Sequence, residues 1–152
     1  MFKKTIESVF ILPVIVILGV FSNFNSFLYD SSLSWLNAVV SAVYLVMWSL
    51  SFKSALKNKR YNLILVSTIF WIATFITSSF TLYINVNATN SMDTTLIIPL
   101  AILLLTPLHG FEFVISHIIS SGYIILVLFF TISFVFSLLG LKFLIAHRKS
   151  RI

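Results

Sequence analysis

The chain has no cysteine, four acidic residues, four glycines and three prolines in 152 positions. Without cysteine there are neither disulfides nor thiolate metal sites. Charged residues make up only 9% of the sequence, against about 25% in soluble domains. Aqueous solubility is therefore not what this composition is built for. The apolar runs do not alternate with polar residues, which argues against a membrane barrel. No Ser-His-Asp arrangement, phosphate loop or cofactor fingerprint occurs, so no cofactor is expected and the chain is not read as an enzyme.

Hydrophobic residues, in contrast, make up 59% of the sequence. A membrane span takes about 20 mostly apolar residues, so the length suits four or five spans joined by short loops. Each span must satisfy its own backbone hydrogen bonds in lipid. The expected fold is an all-α integral membrane protein: one multi-pass domain over residues 1–152, with four full transmembrane helices and a proline-broken re-entrant or interfacial segment. Five spans is the alternative.

The net charge is +6. Nucleic acid is not the expected partner, because the ten Lys and Arg sit in short clusters flanking apolar runs. Lys3 and Lys4 precede the first run, Lys53, Lys57, Lys59 and Arg60 separate the second from the third, and Lys142, Arg148, Lys149 and Arg151 close the sequence. Such clusters orient a membrane protein with its basic loops in the cytoplasm. The basic start followed by VFILPVIVILGVF resembles a signal peptide, but no small-x-small cleavage site follows.

Residues 6–24 are thus expected as an uncleaved first span with a cytoplasmic N-terminus. The second span is expected over 34–52, the third over 62–84 and the last over 123–146. Trp35, Trp48 and Tyr83 are read as interfacial aromatics. Small residues recur at four-residue spacing and mark expected helix-packing faces: Ala38 and Ala42 in the second span, Ala73, Thr77 and Thr81 in the third, Ser133 and Ser137 in the last. Asn37 and Ser41 border the face in the second span, where helix–helix hydrogen bonding is their commonest use. Ile64 is read as lipid-facing. The many Ser and Thr of the third span are expected to bond back to their own helix.

The stretch 95–121 differs from the rest. From Thr95 to Thr106 it supplies only about 18 Å of helix against a hydrocarbon core of about 30 Å. A break is then expected at Pro107–Gly110. Beyond it, His109, Glu112, Ser116, His117, Ser120 and Ser121 fall on one half of a helical wheel, opposite Phe111, Val114, Ile115, Ile118 and Ile119, with Phe113 an exception. His109, Glu112 and His117 form the candidate polar cluster. It is read first as the solvated face of an interfacial helix, with a metal or acid–base role as the alternative.

With four crossings, all ten Lys and Arg lie on the cytoplasmic side, and the C-terminus with them. The functional expectation is a non-enzymatic accessory, assembly or immunity-type protein of the cell membrane. Its partners would be the lipid bilayer and another membrane protein, or a second copy of itself. A small oligomeric transporter or channel subunit is the alternative, and an intramembrane enzyme using His109 and Glu112 the least expected.

Overall fold

The computed structural model describes residues 2–29, 32–87, 97–117 and 123–149. Among them every regular element is a helix: α1 (Phe2–Tyr29), α2 (Trp35–Lys57), α3 (Tyr61–Asn87), α4 (Ile97–His109), α5 (Phe111–Ser116) and α6 (Tyr123–Lys149). Helices α2, α3 and α6 are long and apolar enough to cross a membrane, while the stretch Pro13–Leu28 of α1 and helix α4 are apolar but shorter. The described residues form an all-helical, membrane-compatible bundle.

The α2–α3 link is tight because α2 overruns its expected span. Helix α2 continues through Lys53 and Lys57, so only Asn58, Lys59 and Arg60 separate it from α3. The Lys59 N–H donates to the Leu56 carbonyl and the Arg60 N–H to the Ala55 carbonyl, the paired bonds of a Schellman closure. Lys59 takes the left-handed conformation this requires, with φ 49°. At the other end of α2, the Asn37 Oδ1 accepts from the Ser34 N–H at 3.0 Å and from the Ser34 hydroxyl at 2.7 Å, fixing the first turn.

Contacts set the helix directions. Asn23 near the end of α1 meets Ser41 near the start of α2, so the two are antiparallel. Trp48 of α2 stacks on Phe70 of α3, with ring centroids 4.8 Å apart. Helix α6 runs antiparallel to α3, with Gly140 against Thr68, Phe136 on Trp71 and Phe130 on Phe75. This pair shares the most extensive contact in the bundle. Helix α4 runs parallel to α1: Leu103 borders a cleft with Pro13, Val16 and Ile17, whereas Pro107, one turn later, meets Gly19 and Asn23.

Two ends result. Lys53, Lys57, Lys59 and Arg60 gather at the α2–α3 turn, and Lys142 follows Gly140 toward that same end. The α4–α5 junction lies at the opposite end, beside the start of α2. Exposed Tyr61 and Tyr83 stand at the two ends of α3, about 33 Å apart at 1.5 Å per residue, close to the thickness of a hydrocarbon core.

Several expectations need correcting. Trp48 is 1% exposed and belongs to the core, stacked on Phe70 and edge-on to Trp71 at 5.5 Å. Ile64 is fully buried, because α3 is packed on two sides and buries Leu63, Ile64, Ser67, Thr68, Trp71, Thr74, Thr77 and Ser78. The chain does not break at Pro107, which lies within α4; the turn comes at Gly110. A proline removes one hydrogen bond, but its neighbours here hold the helix through it.

Gly140 has no room for a side chain: an added Cβ would overlap the Thr68 hydroxyl, which already donates to the Ile64 carbonyl at 2.7 Å. Gly140→Ala should therefore lower stability by about 1–3 kcal/mol, the range for overpacking. Ala42→Leu, at an exposed position, should leave it unchanged. Thermal unfolding in detergent compares the two.

Candidate functional site at the broken helix

The polar centre of the bundle is Asn23, which is fully buried. Its Nδ2 donates to the Ser41 Oγ at 3.1 Å and to the Pro107 carbonyl at 3.4 Å. Its Oδ1 accepts from the Asn37 Nδ2 at 2.9 Å, and that same nitrogen reaches the Ser22 carbonyl at 3.2 Å. One carboxamide thus ties α1, α2 and α4 together. Asn37 and Ser41 serve helix–helix hydrogen bonding.

The reason lies in the α4 backbone. The last carbonyls of any helix lack partners, and here they end inside the bundle because Gly110 turns the chain. Leaving such a group buried and unpaired costs about 1–3 kcal/mol. The Asn23 amide supplies a donor to one of them. Close approach makes this geometry available: a Cβ on Gly110 would overlap the Asn37 carbonyl, and one on Gly19 would lie 2.8 Å from the Pro107 Cβ.

Either side of Gly110, the His109 Nδ1 and the Glu112 Oε2 are 3.0 Å apart, pairing across the turn. Phe27 of α1 presents its ring at 89° to the imidazole, with centroids 5.2 Å apart. The two side chains are 14% and 33% exposed, so water reaches the carboxylate. His117 does not join them: it is exposed, and its Nδ1 contacts the Phe113 carbonyl of its own helix. The cluster is a pair rather than a triad, and no group of three metal-ligating side chains occurs among the described residues. Phe111 and Ile115 of α5 pack against the core, so α5 is seated on the bundle. Ser120 and Ser121, of the expected polar face, lie outside the described residues.

The expected packing faces fare unevenly. Ser133, Ser137 and Thr77 are buried, Ala38, Ala73 and Thr81 are half-buried, and Ala42 is exposed. The buried face of α2 runs instead through Ser41, Tyr44, Trp48, Phe52 and Ala55. Thr68, Thr74, Ser79, Thr81, Thr131, Ser133 and Ser137 all donate to the carbonyl one turn back. Thr106 departs from this habit. It is fully buried beside Pro107, yet its hydroxyl has no partner.

Among the described residues, clefts open between helices. One, of about 320 Å³, is lined by Pro13, Val16, Ile17, Trp48, Val66, Phe70 and Leu103. The other, of about 400 Å³, lies between α1 and α2, with Gly19, Ser22, Val39 and Tyr44 in its wall. Their walls are almost wholly apolar, which suits lipid or another helix rather than a polar substrate.

Asn23 and Thr106 went unnoticed in the sequence. For Asn23 a signal exists: reflected about the link between α1 and α2, position 23 falls on the stretch 37–41, where Asn37 and Ser41 wait. Asn23→Leu, which keeps the branched shape of the side chain but not its polar atoms, should strand the Pro107 carbonyl, leave the Asn37 amide only the Ser22 carbonyl, and lower stability by about 1–3 kcal/mol. Thr106→Val removes a hydroxyl that bonds nothing and should be neutral or stabilising. Unfolding midpoints of the two variants in one detergent check both.

Compared with protein-family models, with curated proteins and with solved structures, the chain matches none of them.

Proposed function

We propose that the chain is a multi-pass membrane protein of the accessory, assembly or immunity type, acting by helix contact with another membrane component and not as an enzyme. One observation carries this reading. The described polar groups inside the bundle mostly serve its own helices, while the described clefts open sideways between helices with apolar walls. A protein built this way offers a helical partner surfaces to pack on, and offers a polar substrate little to bind.

In this reading α1, α2, α3 and α6 cross the membrane, and α4 with α5 forms the broken segment, held among them from the non-cytoplasmic side. Both ends of the chain lie in the cytoplasm, because the Lys and Arg clusters then share one side. A small oligomeric transporter is the second reading, favoured by the Asn23 bonds at a proline-containing, interrupted helix, since transporters build their sites at such interruptions.

Affinity purification in mild detergent tests the first reading. One foreign membrane protein should co-purify in fixed proportion; a homo-oligomer that exchanges solute in liposomes would replace this reading with the second. Glu112→Gln should leave that association and the membrane abundance intact. Loss of function at normal abundance would make the His109–Glu112 pair a working site instead. A cysteine at Ser150, in a chain with no other, should react with an impermeant maleimide only after cells are opened.

A further inference from the structure

The described cations converge at one end of the bundle from separate elements: Lys53 and Lys57 from α2, Lys59 and Arg60 from the turn, Lys142 from α6. All but Arg60 are exposed, and Arg60 is half-buried. No described carboxylate pairs with any of them, the described ion pair being His109–Glu112 at the other end.

Two further observations say what these charges meet. Exposed Tyr61 follows directly on the basic turn, and tyrosines take up the headgroup level of a bilayer. Lys57, Lys59 and Arg60 therefore sit just beyond the hydrocarbon, at the depth of lipid phosphates. Lys59, moreover, holds a left-handed conformation at φ 49° that glycine would adopt without strain. A cation stands where the backbone alone favours glycine.

We infer that this end of the protein binds the headgroups of anionic phospholipids in preference to zwitterionic ones, through Lys57, Lys59 and Arg60, with Lys53 and Lys142 reaching the same layer along their apolar stems. The partner chemistry is a phosphodiester carrying net negative charge, within reach of several ammonium and guanidinium groups at once. This inference rests on the chain being embedded in a membrane and not on its acting as an accessory protein.

The test uses the full chain in dodecyl maltoside micelles mixed with phosphatidylglycerol or with phosphatidylcholine, reading the phospholipid retained after gel filtration and the unfolding midpoint. Phosphatidylglycerol should be retained preferentially and should raise the midpoint, and both effects should shrink at 1 M salt, where the screening length falls to about 3 Å. The triple variant Lys57→Gln, Lys59→Gly, Arg60→Gln should lose about fivefold in relative retention for each cation removed. Lys59→Gly alone serves as the folding control, since it keeps the turn. Equal retention of the two lipids by the unaltered chain would overturn the inference. So would a preference that survives in the triple variant, or displacement of phosphatidylglycerol by an equal concentration of inorganic phosphate, which would mark a small-anion site.

Discussion

The hydrogen bond from Asn23 to the Pro107 carbonyl is the contact on which the rest of this architecture turns. Apolar helices in lipid gain little from hiding apolar surface, because the lipid is as apolar as they are. What they cannot tolerate is an unpaired backbone group. Helix α4 ends inside the bundle, so its terminal carbonyls need donors that the chain must bring from elsewhere. A buried carboxamide on α1, itself held by Asn37 and Ser41 of α2, brings one. Glycines at 19 and 110 permit the backbones to come close enough.

Away from that point the bundle is joined by shape. Trp48, Phe70, Trp71 and Phe136 form a continuous aromatic layer from α2 through α3 to α6, alternating stacked and edge-on contacts. Buried Ser133, Ser137 and Thr68 direct their hydroxyls to their own backbones, so their contribution between helices is small size. Among the described residues the buried hydroxyls without a bond are those of Tyr44 and Thr106, and Thr106 is the residue preceding Pro107. It sits where the helix ladder is already interrupted.

The helices themselves were legible in the sequence, as were the back-bonding of the α3 hydroxyls, the partners of Asn37 and Ser41 in kind, and the singularity of the stretch 95–121. Which way each helix faces was not. In a soluble helix an apolar stripe marks the buried side, but Ile64, Trp48, Ala42 and Val39 are all apolar whether they meet lipid or protein. Rotation about the axis is then set by side-chain shape at contacts such as Gly140 on Thr68, which involve residues far apart in the chain. Of the cluster His109, Glu112 and His117, the first two meet across one turn, whereas His117, two turns beyond His109, lies against the Phe113 carbonyl. The bond from Asn23 to α4 was hidden because the groups around Asn23 lie on three different helices, and the acceptor on α4 is a backbone atom that carries no letter in the sequence.

The central claim is that α4 is seated among α1, α2 and α3 rather than lying on the membrane surface. The absence of native cysteine allows a direct test with Ile17→Cys and Leu103→Cys, two walls of one cleft, together with a protease site inserted between Asn90 and Ser91. After treatment of membranes with a short membrane-permeant thiol crosslinker and then protease, the two fragments should remain joined on a denaturing gel. Fragments that separate as completely as those of the single-cysteine chains would contradict the account and place α4 away from α1.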